Sequence, residues 1–417
     1  MELDPSDSNS RVVDASQFSK YRDAGALVSK AFHQVASRCV PGASTREISS
    51  YGDNLLHEYK SSIYKSQRFE KGIAEPTSIC VNNCAYNYAP GPESVIAGND
   101  NSYHLQVGDV TKISMGLHFD GYTALISHTI VVTPPPQPGM GPYIGPGADA
   151  ICAAHYASKA VANLLATNNS DDPITGSRLR KIVDDIASQF RVSVCPGSRI
   201  RRISRFLVGQ PTIDRLEEDQ NTKHAVEWPA PEEETRKADV TNSLDPANVL
   251  STELNTWHVM PKEAWLIDIS MSSQPISSLK EHPDLKPTLY IHDVNVSYML
   301  KLKASRSLLS EIKKEKSVFP FHFGSLSSER NLLGLRELTD RHILVPMPVL
   351  ISSPSNVIAR EELTVITQPN PSSDLLCLTV PTPPSYVKSD FSLEDGTDAA
   401  LICEGINVNI KSININV

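Results

Sequence analysis

Apolar positions early in the chain recur at helical spacing. Tyr21, Ala24, Leu27, Val28, Ala31 and Val35 share one face, which predicts an amphipathic helix from Ser16 up to the stop at Pro41-Gly42. A second helix is predicted from Ser44, whose hydroxyl can cap while Glu47 reaches back, with Ile48, Tyr51, Leu55, Leu56 and Tyr59 on its apolar face. Val110 to Val132 reads as two strands joined at Asp120-Gly121, a pair that tolerates the positive φ of a tight turn. Thr133 to Gly147 holds six prolines and reads as a rigid loop. Helices are expected at Asp149–Leu165, Gly176–Phe190, Ser305–Glu315 and Asn331–Asp340, and strands at Ala264–Ser270, Tyr290–Lys303, Val345–Ser352 and Glu362–Thr367. A helix-rich half and a later half of similar content suit a pseudo-symmetric sheet domain of mixed α/β (α+β) class.

Three stretches break this pattern. Residues 1–15 are polar and read as a loose N-terminal tail. Residues 214–240 carry Glu217-Glu218-Asp219 and Glu232-Glu233-Glu234 and read as an exposed acidic insertion in a main domain spanning 16–385. The C-terminal segment 386–417 ends in Ile406-Asn407-Val408-Asn409-Ile410 and Ile413-Asn414-Ile415-Asn416-Val417. This alternation suits either an edge strand with a bulge or an arm that pairs with a partner.

Composition narrows the classes. At 417 residues and 40% hydrophobic content there is material for one large domain or two smaller ones. No basic leader precedes an apolar run and no eighteen apolar residues run together, so a soluble, intracellular protein with no membrane partner is expected. Seven scattered cysteines without a Cys-x-x-Cys pair suggest buried thiols rather than a disulfide framework or a zinc knuckle. A net charge of −9 excludes a protein that coats nucleic acid with its whole surface but allows one local basic patch. Arg199, Arg201, Arg202 and Arg205 supply four arginines in seven residues. They either grip phosphate through bidentate forks, with Ile200, Ile203 and Phe206 facing inward, or form a strand or turn with one solvated face. Lys313, Lys314 and Lys316 lie beside Glu311 and Glu315 and read as a solvated helix face, while His118 and His128 read as packed, hydrogen-bonded histidines or relics of a pocket.

Several separated motifs, in order, carry a family likeness: Lys71-Gly72-Ile73-Ala74-Glu75-Pro76-Thr77-Ser78, Val81-Asn82-Asn83-Cys84, Gly108-Asp109 through Thr129, Gly334-Leu335-Arg336-Glu337-Leu338, and Pro346-Met347-Pro348-Val349-Leu350. Over about residues 16–385 the chain resembles the eukaryotic type 2 methionine aminopeptidases and their non-catalytic relatives, of peptidase family M24. That resemblance implies the pita-bread fold, a curved antiparallel sheet covered by helices. The family's enzymes hold two metal ions with two Asp, one His and two Glu, and a further His contacts substrate. The corresponding positions here are Ser114 and Leu125 on the hairpin, the neighbourhood of Arg199-Ile200 where no His occurs, Asp268 and Glu362, with Asn87 for the substrate His. A serine hydroxyl is a poor ligand for a divalent ion and leucine is none, so the resemblance implies a degenerate pocket, no cofactor and no peptidase activity.

Among the non-catalytic relatives, Leu117-His118-Phe119-Asp120-Gly121-Tyr122-Thr123, Pro196 through Gln210 and Leu300-Lys301-Leu302-Lys303-Ala304-Ser305-Arg306 resemble fungal export and assembly factors of pre-60S ribosomal particles. The function this resemblance implies is that of a factor shuttling between nucleus and cytoplasm. It would bind rRNA, through Arg199, Arg201, Arg202 and Arg205, and ribosomal proteins near the peptide exit tunnel, with nucleoporins and a small co-factor protein as further partners. Two readings stand beside it: a hydrolase with an altered metal site on Asp268 and Glu362, and a nucleic-acid-binding signalling adaptor like the proliferation-associated relatives.

Overall fold

The computed structural model describes residues 13–91, 102–134, 141–168, 173–207, 224–230, 254–255, 257–326, 331–367, 376–379 and 386–404. Most of the 1–15 tail, most of the 214–240 insertion and the alternating end 406–417 lie outside them.

Helix α1 (Ala15–Ala36) buries Tyr21, Ala24, Val28, Ala31 and Val35, and α2 (Thr45–Ser62) buries Ile48, Leu55, Leu56 and Tyr59. The capping box belongs to α1, where Asp14 Oδ1 accepts the Gln17 N–H and Gln17 Oε1 accepts the Asp14 N–H. Ser44 does stand at the N-cap of α2, but makes no capping bond because its hydroxyl pairs with Ser102 Oγ at 2.6 Å.

Strands β1 (Lys71–Val81), β3 (Val110–Phe119), β4 (Tyr122–Val131), β14 (Ile358–Ile366), β8 (Ala264–Ser272), β6 (Arg199–Ile203) and β7 (Ala225–Glu227) lie in that spatial order in one antiparallel sheet. Strand β5 (Ser193–Val194) joins at β8 and β15 (Leu376–Cys377) at β14. The β3–β4 hairpin turns at Asp120-Gly121, both at positive φ (55° and 80°), and places Ser114 opposite Ser127 and Gly116 opposite Leu125. One face of the sheet is covered by two helix pairs. α1 and α2 lie over β1, β3 and β4, while α3 (Pro146–Ala166) and α4 (Gly176–Gln189) belong to the half built on β14 and β8. This is the two-halved arrangement that the periodicity suggests.

A smaller unit packs α5 (Lys303–Glu315) and α6 (Asn331–Asp340) on a sheet of β10 (Leu289–His292), β11 (Phe321–His322) and β12 (Leu344–Met347). Another three-stranded sheet joins β2 (Cys84–Tyr86), β13 (Leu350–Ile351) and β9 (Lys280–Glu281). Among the described residues no helix is long and apolar enough to cross a membrane.

The structure corrects several boundaries. Tyr290–Lys303 is not one strand: only Leu289–His292 is paired, and Val294, Tyr298 and Met299, the last 88% exposed, lie on an irregular surface segment. Val345–Ser352 splits between β12 and β13, which belong to different sheets. Within the acidic insertion, β7 pairs with β6 and Val226 and Trp228 are buried, because Ala225, Val226 and Trp228 supply an apolar edge that the flanking glutamates obscure. Packing also continues past residue 385, where α7 (Asp398–Glu404) lies on α3 and α4 and Tyr386 Oη accepts the Val131 N–H at the end of β4.

Candidate functional site

Four of the pocket positions expected from the sequence, Ser114, Leu125, Asp268 and Glu362, come together on the face of the sheet turned away from the helices, whereas Asn87 lies on a loop tied to Pro348. Asp268 on β8 stands opposite Glu362 on β14 and opposite Arg199 on β6, and Glu362 stands opposite Ser127 beside Ser114. Side chains on a strand alternate faces, so this register sets Ser114, Ser127, Asp268 and Glu362 on one surface. Leu125 is on the same surface, folded over Gly116. A Cβ at 116 would collide with its Cδ2, which is why the position opposite this leucine has no side chain. The isobutyl group packs with Ala74, Val318, Phe319 and Leu207, and so fills its share of the pocket with hydrocarbon. Asn87, at φ 67°, donates from Nδ2 to the Pro348 carbonyl at 2.9 Å and ties its loop to the segment before β13.

The centre of this cluster is Arg360, which the family's ligand pattern does not mark. Its guanidinium donates from Nε to Asp268 Oδ1 (2.7 Å), from Nη2 to Asp268 Oδ2 (3.0 Å) and from Nη1 to Ser114 Oγ (3.0 Å). Ser114 in turn donates to Ser127 Oγ at 2.8 Å. Glu362 Oε2 stands 3.3 Å from Nη2 and Glu75 Oε1 3.7 Å from Nη1, and the Tyr86 ring lies 5.1 Å from the guanidinium carbon. A signal for Arg360 exists in the sequence: it is two residues before Glu362 in a strand and therefore on the same face. Glu75 is equally legible as part of the Lys71–Ser78 motif.

Burial works against each charge, and the outcomes differ. Burial alone would lower the Arg360 pKa, but Asp268, Glu362 and Glu75 outweigh it and hold it well above its ordinary value, so it is a permanent cation. Glu362 is fully buried, its oxygens make no hydrogen bond among the described residues, and burial pushes its pKa well above the carboxylate range. Burial, with Asp268 nearby, also raises Glu75.

These residues do not fit a two-metal centre. The hairpin offers a hydroxyl and a hydrocarbon where shared carboxylates are needed, and both Asp268 oxygens are taken by Arg360. No group of three or more His, Cys, Asp or Glu positioned for a metal ion occurs among the described residues.

The four arginines are not one surface patch. Strand β6 alternates, so Ile200 and Arg202 are buried on one face while Arg199, Arg201 and Ile203 lie on the other. Arg202 is a core group: Nη1 donates to Glu263 Oε1 at 3.2 Å. Arg205 grips the hairpin turn, donating to Asp120 O (3.0 Å) and Oδ1 (2.7 Å), and Lys20 holds the same carboxylate at 2.6 Å. Arg199, with 37% of its side chain exposed, has Nε 3.5 Å from Asp268, and burial, then Arg199 itself, lowers Arg201 to about 10. Ile203 is only partly buried, on the face opposite Ile200, and Phe206 is 41% exposed, so the expectation of three inward apolar residues holds for Ile200 alone. The cause is a period of two where the charge density suggested a single surface.

Both histidines are packed. His118 is held neutral, lowered to about 3 by burial, accepts the Gly121 N–H at Nδ1 and stacks on Phe319 at 4.1 Å. His128 has Nδ1 3.2 Å from Glu361.

The profile of Metallopeptidase family M24 matches residues 19–202. A Dictyostelium discoideum relative named Proliferation-associated protein A is 30% identical over 406 residues, covering 97% of this chain and 91% of the relative. A Yarrowia lipolytica relative named Probable metalloprotease ARX1 is 32% identical over 436 residues, covering 91% and 89%. The solved structure of a thermophilic Arx1 matches in fold with a TM-score of 0.73 at 20% identity, over 94% of this chain and 98% of that one. With its hairpin, its two-halved sheet and these relatives, the chain belongs to the metallopeptidase M24 family, on the pita-bread fold, and is a homologue of the fungal Arx1 proteins.

Proposed function

We propose that this chain is a non-catalytic aminopeptidase-like factor. It binds pre-60S ribosomal particles near the peptide exit tunnel, aids large-subunit assembly and nuclear export, and passes between nucleus and cytoplasm. The observation that carries the non-catalytic part is the Arg360 guanidinium seated on Asp268, where both carboxylate oxygens are engaged and no water-activating ion has a place. The ribosomal part is supported by the likeness to fungal proteins named ARX1 and by the hairpin and arginine signatures.

The surface supports an rRNA contact centred elsewhere than on the whole arginine cluster. Arg202 and Arg205 are committed to Glu263 and Asp120, Arg199 faces Asp268, and Arg201 is partly buried beside it. Lys301, Lys303, Lys313, Lys314 and Arg336 are exposed on the smaller unit, a set of cations on an otherwise acidic protein. Ribosomal proteins, nucleoporins and a small co-factor protein are the protein partners of this reading.

Two measurements test it. On a sucrose gradient of cell extract the protein should migrate with large-subunit precursors, and migration only in the free pool would refute the ribosomal role. Purified protein should release no methionine from test peptides with added manganese, cobalt or zinc. Steady turnover abolished by Asp268→Ala would instead establish the altered hydrolase.

A further inference from the structure

The two halves of the large sheet meet at β4 and β14, and there the ladder is thin. The pair Glu362–Ser127 stands alone, against ten pairs between β3 and β4 and nine between β8 and β14. Threonine hydroxyls fill the rest of the seam. Thr129 Oγ1 donates to Arg360 O (2.9 Å) and accepts from Arg360 N (2.8 Å), while Thr364 Oγ1 accepts from Leu125 N (2.9 Å) and donates to Leu125 O (3.2 Å).

Arg360 spans this seam with its side chain. Nη1 reaches Ser114 on β3 and Glu75 on β1, whereas Nε and Nη2 take Asp268 on β8. We infer that Asp268, Glu362, Glu75 and Ser114 form a guanidinium-recognition site, filled by the chain's own Arg360, and that this tethered cation joins the two halves of the sheet. The inference rests on the non-catalytic half of the proposed function.

The geometry selects guanidinium over other cations. Two N–H groups meet two oxygens of one carboxylate in the parallel fork that a planar guanidinium alone provides, a third N–H meets a hydroxyl, and an aromatic ring lies alongside. A metal ion would need oxygens drawn to about 2.0–2.2 Å of one point. This cradle is instead spread around a flat cation several ångströms across. Once the Arg360 side chain is removed, the same cradle should accept guanidinium ion from solution.

The test is chemical rescue in the full-length protein. Arg360→Ala should melt several degrees below wild type. Guanidinium chloride at low millimolar concentration, far below denaturing levels, should recover most of that loss. Equal sodium chloride should not, wild type should gain nothing, and Asp268→Asn added to Arg360→Ala should abolish the recovery. A folded Arg360→Ala that guanidinium does not stabilise beyond the salt control would overturn the inference.

If Arg360→Ala fails to fold, wild type itself supplies the reading through arginine side-chain NMR. A slowly exchanging Nε–H signal should vanish in Arg360→Lys and survive in Arg202→Lys. The absence of any such signal, or stoichiometric zinc or manganese in purified wild type, would equally sink it. Sedimentation with pre-60S particles is read on wild type and is independent of these outcomes, so either idea can fail without the other.

Discussion

Arg360, Glu361 and Glu362 are consecutive, charged and buried, yet they face two different interiors. On the face turned away from the helices, Arg360 neutralises Asp268 and its neighbours with a cation that no accessible pH removes. On the helix-covered face, Glu361 is balanced by His155 on α3, which hydrogen-bonds Oε1 through Nδ1 at 3.0 Å, while His128 on β4 has its Nδ1 3.2 Å away. One strand thus meets the same problem, a carboxylate out of water, in a fixed way and in a titratable way. A central strand of this fold can carry three adjacent ionisable groups because alternation sets Arg360 and Glu362 against each other on one face and Glu361 against histidines on the other.

The largest effect is expected at Arg360. Its removal leaves buried carboxylates uncompensated, so Arg360→Ala should cost about 3–5 kcal/mol in urea unfolding, the usual range for one lost partner of a buried pair. Glu361→Gln should cost less, about 1–3 kcal/mol, since an amide still occupies the space and can accept one hydrogen bond.

The pH response sharpens the contrast. Glu361 is held down to about 2 from 4.5; burial opposes this, and the charge and hydrogen bond of His155, with His128 close by, overcome it. Its contribution is therefore present above pH 4.5 and is lost as pH falls toward 2. His155 moves the other way: burial lowers it, but Glu361 raises it above 6.5, so its contribution is complete below 6.5 and is lost as pH rises through the raised value. Stability from this face should peak between those limits and decline on both sides, with the dome flattened in Glu361→Gln. An unchanged dome in the variant would assign the pH dependence elsewhere. The smallest effect on stability is expected at the surface. Lys313→Ala with Lys314→Ala should leave stability within about 0.5 kcal/mol of wild type. If both cations contact rRNA phosphates, the salt slope of RNA binding should fall by about 0.7–0.9 for each.

Local signals made much of this legible. Asp120-Gly121 fixes the hairpin turn, and counting outward from it places Ser114 opposite Ser127, as observed. The first four helices are readable from apolar spacing. Long-range pairing was not legible: Glu263 is 61 residues from Arg202, and nothing near Arg202 in sequence marks it as a core residue. Arg360 is marked only by its place two residues before Glu362, since inherited ligand positions register which carboxylates remain and not which cation has come to sit between them. The segment after His292 misleads because its apolar residues alternate like a strand while several of them face solvent.

The grip on Asp268 also sets a timetable for the nascent chain. Asp268 leaves the ribosome 92 residues before Arg360, and Ser114 leaves 246 residues before it. At about 5–20 residues per second, the carboxylate waits roughly 5–18 s for its partner. Throughout that interval Lys20 and Arg205 are already available to the hairpin tip, so the first half can settle early. The second half has to wait for a side chain that emerges 92 residues after Asp268. Closure of this core therefore follows that of the hairpin, and any chain stopped between Asp268 and Arg360 will carry an acidic, unclosed seam.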